Sequence, residues 1–560
     1  MDDVDAVQAQ IARNMLQSDD WVIAHLDGVP YIEKSPLVYW LMAGSMRIFG
    51  PHDWAARIPV ALAAILLGFL TFRFGRWAFG NRAGFYSGLV ILTCIGLFLF
   101  TRIQIPDVML TATVCAALWC FARALDPDEA ASRRWSVLIG VCFAAGLLLK
   151  GLIAVVFPCG AILVYLLATR QLLARETWSR LSVATIVLVT LFIAAPWHIA
   201  AMRRMPPLFD FTLHSGPGEY RGFFWFYFIN EHVLRFLNLR YPRDYNTVPR
   251  LAFWFLHLLW LFPWSVYLPS AFRAKLRSDD RASRTRLLAL CWILFVMIFF
   301  TFSTTQEYYS MPIYPALALL LGSAMELESA WTRIGTRILG AVAALCAIAT
   351  ATLFFLVRHK DAPGDISRAL EQHPEAYTLS LGHMGDLTLQ SFAYLKLPLL
   401  LATLAFAIGA ISAFTLRSRK VFLGVACMMI LFFHAARSAL VVFDPYLSSR
   451  PLAEALLRAP QGQLILNGAY YDFSSVFFYT NRTALLWNGR VNNLEYGSYA
   501  PGSPDVFLND QQFLSKWSTS QRLYVLSDGD GLKRLHSAVP PASLHFVAES
   551  GGKSLYSNLP

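Results

Sequence analysis

Apolar runs long enough to cross roughly 30 Å of hydrocarbon recur along this chain, and nothing else about it restricts the fold so severely. They lie at 56–77, 82–101, 107–124, 134–149, 151–168, 180–200, 250–271, 286–303, 310–327, 336–357, 396–416 and 420–441, about 12 spans in all. Hydrocarbon offers no hydrogen bonds to a backbone, so such runs fold as helices that satisfy their own N–H and C=O groups. Only 15% of the 560 residues are charged and 56% are hydrophobic, against about 25% charge in soluble domains. The expected fold class is a polytopic α-helical membrane protein.

The net charge of +11 suggests nucleic acid until its placement is read. With residues 1–55 outside, the loops FRFGRWAFGNR, RALDPDEAASRR, TRQLLARETWSR, FRAKLRSDDRASRTR, the stretch around TRIGTR, and RSRK all fall inside, and every one is basic. That is the asymmetry of a cytoplasmic face, so no nucleic-acid partner is expected. The outer segments are richer in acids, His and aromatics, although the long loop at 201–249 also holds several Arg. All eight Cys fall inside spans with no paired spacing, as small buried hydrophobes rather than a disulfide framework or zinc knuckle.

Three parts follow: a first outer loop (1–55), a transmembrane catalytic domain (56–441) and a C-terminal outer domain (442–560). In the first, Val7, Ile11 and Met15 form one apolar stripe, suited to a short helix lying in the interface. No apolar segment precedes this outer loop, so a first transmembrane helix is expected upstream of Met1, with signal-free translocation as the alternative. In the third, SRPLAEALLRA reads as a helix. QLILNG, SVFFYTN, TALLWNG, RLYVLSD and SLHFVAES read as strands bounded by Gly, Asn and Asp, giving a small α/β domain.

Ionisable groups near a membrane are costly and usually functional. Four outer-face clusters stand out: Asp2, Asp3 and Asp5; Glu33 and Lys34 in YIEKSP; Arg102 and Asp107 in TRIQIPDVML; and Glu231, His232, Arg235 and Arg240 in NEHVLRFLNLR. Glu307, Tyr308 and Tyr309 form a weaker fifth. Each has a plain alternative. Asp107 suits a helix N-cap, Glu33–Lys34 a solvated pair, His232 a structural histidine, the arginines lipid headgroups and the tyrosines an aromatic belt. Together on one face they suggest a chemistry. Carboxylates can act as general base toward an acceptor hydroxyl or amine, and Lys34, Arg102 and Arg235 can hold a departing phosphate. A lipid-linked phosphosugar suits both, and with no Gly-rich phosphate loop no nucleotide is expected.

The runs IARNMLQSDDWVIAHLDGVPYIEKSPLVYWLMAGSMRIFG, AARIPVALAAILLG, TRIQIPDVMLTA, LLLKGLIAVVFP, EHVLRFL, LFPWSVYLP and FSTTQEYYSMPIYPALALLLG resemble, in order, bacterial polyprenyl-phosphate-dependent glycosyltransferases. These are relatives of the lipid A aminoarabinose transferase and the protein O-mannosyltransferases, with a GT-C fold. The resemblance covers residues 5–327. It implies an inverting transfer of a sugar from a polyprenyl-phosphate donor to an envelope glycolipid, glycan or protein at the periplasmic face of the bacterial inner membrane. It also implies a first-loop Asp as catalytic base, with Asp3 favoured over Asp5, and Asp107 as the second-loop acid. Lys34 and Arg235 would bind phosphate, and Glu33 and His232 a divalent metal (Zn, Mg or Mn). EKSP departs from the family's EKPP by one serine, and a basic residue common near FSTTQEYY is absent. A polytopic transporter or lipid-linked sugar flippase is the rival, but transporters tend to repeat their halves and place charges near the midplane.

Overall fold

The computed structural model describes residues 1–129, 132–243, 248–271, 276, 280–303, 305–366, 387–417 and 419–560. Parts of the basic loop FRAKLRSDDRASRTR and of the outer segment 358–395 lie outside the described residues. Each apolar run coincides with helix, yet helix continuity and hydropathy part company in several places. Among the described residues seven helices are long and apolar enough to cross a membrane, or up to eight if one bent pair counts as a single span. The expected dozen is therefore not matched one for one.

The reasons are local. The run 82–101 is two helices, Asn81–Thr93 and Ile95–Phe100, separated at Cys94, whose backbone is extended. The run 250–271 bends by 95° between Arg250–Trp260 and Trp264–Ala271, where Pro263 has no N–H to continue the ladder. The run 151–168 supplies a helix of only 16 residues, Ile153–Ala168. The run 310–327 begins with 3-10 turns over Glu307–Ile313 before its helix Tyr314–Glu326.

The first loop folds into a helix (Asp3–Ser18), a hairpin of β1 (Ala24–Leu26) and β2 (Val29–Tyr31), and a helix over Leu37–Phe49. Asp27 and Gly28 take positive φ at the hairpin tip, the conformation a two-residue Asp-Gly loop supplies. The helix Asp3–Ser18 carries the expected stripe, but it does not lie bare in the interface. Ala6, Val7, Ala9, Ile11, Ala12 and Met15 are buried, and so are Asp3, Asp5 and Gln10.

It is covered on one side by the Leu37–Phe49 helix and the hairpin and on another by the C-terminal domain. Strands β3 (Gln463–Asn467), β4 (Ala484–Trp487), β5 (Phe507–Leu508), β6 (Leu523–Asp528), β7 (His545–Ser550) and β8 (Lys553–Ser557) form one sheet in the order β5-β4-β3-β6-β8-β7. The first four are parallel and β8 is antiparallel to both its neighbours. SVFFYTN, expected as a strand, is instead the helix Ser474–Thr480, ended by Asn481 in the left-handed region. Short apolar runs fit either period. Here Val476, Phe477 and Phe478 are all buried, and the Phe478 carbonyl accepts from Arg13 of the first helix at 2.7 Å.

Candidate active site

A cavity of about 390 Å³ opens where the Asp107–Ala124 helix begins, the Ser132–Lys150 helix ends and the Ile153–Ala168 helix begins. Its lining includes the polar Glu33, Lys34, Asp107, Lys150, His232 and Arg235 and the apolar Phe157, Phe299 and Phe300. Seven residues singled out in four separate stretches of sequence (Glu33, Lys34, Asp107, Glu231, His232, Arg235 and Tyr309) meet here. Asp3, Asp5 and Arg102 do not line it.

Glu33 does not pair with Lys34. Its carboxylate takes Arg240 on one oxygen and accepts from the Tyr31 hydroxyl at 3.2 Å on the other. Arg240 also binds Glu231 at 2.5 Å, and Glu231 holds Arg235 at 2.6 Å. Burial acts to raise the Glu231 carboxyl, but Arg240, Arg235 and Lys34 outweigh it and hold it at about 2. That network leaves Lys34 half-buried in the cavity wall, its ammonium without an ion-pair or hydrogen-bond partner among the described residues.

The segment Trp225–Leu234 is wound as a π-helix, a form met mostly at functional sites. It carries Tyr227, Glu231 and His232 into the cavity wall. His232 Nε2 accepts the Leu152 N–H at 2.9 Å, and Nδ1 lies 2.5 Å from the Tyr227 carbonyl. A carbonyl only accepts and an amide N–H only donates, so the ring is neutral with its proton on Nδ1. Burial lowers its pKa in the same sense. Gly151 makes this approach possible. It sits at φ +80, and a Cβ there would overlap His232 Nε2.

Asp107 is the first residue of its helix and not the N-cap, a position taken by Pro106. Its Oδ1 accepts from Lys150 at 2.5 Å, and its buried Oδ2 has no hydrogen-bond partner. The Lys150 ammonium lies 4.8 Å and 5.3 Å from the ring centres of Tyr309 and Tyr308, a cation–π arrangement. Lys150 stands in the run LLLKGLIAVVFP but is not among the residues singled out from the sequence. The one available signal was a lysine at the outer end of an otherwise apolar run.

The N-terminal acids sit elsewhere. Asp3 accepts from the Ser475 N–H at 2.7 Å, the Ser449 hydroxyl at 2.8 Å and Lys553 at 2.7 Å, all in the C-terminal domain. Asp5 faces the membrane domain, accepting the Gln104 N–H at 2.7 Å and pairing with Arg57. Asp2 caps the helix through the Asp5 N–H at 2.8 Å. Burial, with the charge of Asp5 beside it, lifts the Asp2 carboxyl to about 7. The Arg102 carbonyl accepts from the Arg57 guanidinium, and the Arg102 guanidinium lies 5.8 Å from the centre of the Phe98 ring. As the expected metal donors, Glu33 and His232 both border the cavity, but each is engaged by protein partners. No cluster of three His, Cys, Asp or Glu placed to hold a metal occurs among the described residues.

Residues 33–198 match the family of dolichyl-phosphate-mannose-protein mannosyltransferases. The chain is 31% identical over 323 residues to undecaprenyl phosphate-alpha-4-amino-4-deoxy-L-arabinose arabinosyl transferase 1 of Sodalis glossinidius, covering 56% of this chain and 53% of that one. It is 28% identical over 363 residues to the corresponding arabinosyl transferase of Aeromonas hydrophila, covering 63% and 61%. The matched region thus spans between half and two thirds of those relatives' lengths. The structure of ArnT from Cupriavidus metallidurans bound to undecaprenyl phosphate superimposes with a TM-score of 0.77 at 22% identity, over 99% of this chain and 93% of that one. The two chains therefore share one fold over nearly their whole lengths. In sequence and fold the chain is similar to bacterial polyprenyl-phosphate-dependent glycosyltransferases, as the motifs in its first loops imply.

Proposed function

We propose that this chain is an inverting glycosyltransferase of the bacterial inner membrane, moving a sugar from a polyprenyl-phosphate donor to an envelope acceptor at the periplasmic face. The observation that carries the reading is Lys34: a cation with no ion-pair or hydrogen-bond partner among the described residues, in the wall of a cavity lined both by charged groups and by phenylalanine. Those two environments suit a phosphate head and an isoprenoid tail. In the proposed reaction the acceptor oxygen or nitrogen attacks the anomeric carbon and gives its proton to Asp107 through the unpartnered Oδ2. The bond from that carbon to the phosphate oxygen breaks, and Lys34 and Arg235 stabilise the released polyprenyl phosphate. Asp3 and Asp5 position the first helix. A divalent cation bound by Glu33 and His232 would have to displace Arg240 and the Leu152 amide, so no step is assigned to one.

The relatives' names make an aminodeoxyarabinose donor the first to try, and glycolipid, glycan and protein remain the acceptor classes. The test is transfer from radiolabelled polyprenyl-phosphate sugars to envelope extract in proteoliposomes, comparing wild type with Lys34→Ala and Asp107→Asn. Loss of transfer in both, with unfolding behaviour kept, supports the assignment. Lipid crossing the bilayer with no donor consumed would mean a transporter instead.

A further inference from the structure

We propose that the end of the helix bundle away from the active-site cavity binds an anionic diacyl phospholipid. A second cavity, of about 430 Å³, lies among the helices Ser132–Lys150, Ile153–Ala168 and Val183–Arg204, with Phe143, Cys159, Leu163, Trp178 and Leu191 in its lining. It is distinct from the first. The Ser132–Lys150 helix brings Lys150 to the first cavity and lines the second with Phe143 and Ile139, 7 and 11 residues earlier, together with Leu172, Trp178 and Leu181 beyond the far end of the Ile153–Ala168 helix.

The lining dictates what can enter. The Thr190 hydroxyl is bonded to the Ile186 carbonyl at 2.7 Å, and the Trp178 indole N–H to the Leu172 carbonyl at 2.7 Å. The other wall residues are apolar apart from the Cys159 thiol. The interior therefore offers nothing to a polar ligand and suits hydrocarbon. The rim is the opposite. Arg170 lies four residues after the lining residue Leu166 and Arg175 three before Trp178. Both are exposed, and neither has an ion pair or side-chain hydrogen bond among the described residues. Other arginines at this end are neutralised: Arg134 by Glu129, Arg180 by Glu176 and Arg281 by Asp126 and Asp128. An apolar recess flanked by uncompensated cations fits an amphiphile with an anionic head, because a juxtamembrane basic group favours such lipids about fivefold.

The experiment uses the full chain in nanodiscs with a phosphatidylglycerol that carries a diazirine in one acyl chain, adducts being mapped by peptide mass spectrometry. Adducts are expected within residues 139–191, removed by excess phosphatidylglycerol and not by phosphatidylcholine. The double variant Arg170→Gln/Arg175→Gln, both positions being exposed, should weaken labelling about 25-fold. Leu163→Trp, which fills the recess, should abolish it. Adducts elsewhere, equal competition by phosphatidylcholine, or undiminished labelling of the arginine variant would each overturn the proposal. Stronger competition by undecaprenyl phosphate would overturn it in favour of a site for the donor's tail.

Discussion

Replacing Arg240 with methionine tests the architecture of the site most directly. Arg240 joins Glu33 of the first loop to Glu231 of the π-helical turn, and the three side chains are only 7%, 4% and 6% exposed. Removing one partner of a buried pair costs about 3–5 kcal/mol, because the other charge stays buried without compensation. The two acids share that loss unequally. Glu231 keeps Arg235 at 2.6 Å, whereas Glu33 keeps only the Tyr31 hydroxyl among the described residues. Most of the cost therefore falls on Glu33, and adding Glu33→Gln should recover about 1–2 kcal/mol, as coupled neighbours do. Unfolding of the purified proteins in detergent, followed by tryptophan fluorescence, reads both effects. An Arg240→Met variant within about 1 kcal/mol of wild type, or a Glu33→Gln change that deepens its loss, would refute the reasoning.

Gly151→Ala should displace His232, since the added Cβ overlaps Nε2 and lies 2.9 Å from the Tyr227 hydroxyl at a φ of +80. A fall in both the unfolding midpoint and transfer is expected, and normal values in both would contradict it. Glu231, held at about 2 against an ordinary 4.5, contributes about 3 kcal/mol that is present above pH 4.5 and lost as pH falls toward 2. Wild type should accordingly lose its advantage over Glu231→Gln across that window in acid unfolding. Asp3→Asn should loosen the C-terminal domain, seen as faster limited proteolysis, while Asp107→Asn abolishes transfer with proteolysis unchanged. Transfer should persist in excess chelator, because Glu33 and His232 are already engaged by protein groups, and its loss on chelation with recovery on added metal would reverse that reading.

Much of the fold was legible because hydropathy is a property of the run itself. Its breaks were not. Cys94 and Pro263 interrupt helices without altering the apolar character around them, so a window of twenty residues slides over both. In the site, Glu33, Lys34, Asp107, His232 and Arg235 were recognisable as charges on one predicted face. Their pairing was hidden. Glu33 stands beside Lys34 in sequence yet binds Arg240, which is 207 positions away, and Lys150 meets Asp107 across 43. Such partners are chosen by how helices pack.

The first-loop acids show what a helix does with residues two apart. Asp3 and Asp5 are separated by about 200° around the axis at 3.6 residues per turn, so both cannot serve one cavity. Asp3 grips Lys553 and Ser475 of the C-terminal domain, and Asp5 grips Arg57 and the Gln104 amide of the membrane domain. Gln104 lies three residues before Asp107, on the turn that delivers that carboxylate to Lys150. The short helix is thus a two-sided connector. One face fixes the outer domain, and the other fixes the loop from which the Asp107–Ala124 helix starts. A motif alone does not separate an acid in this position from one inside the cavity. The free oxygen of Asp107, set against the fully engaged carboxylates of Asp3 and Asp5, is what separates them.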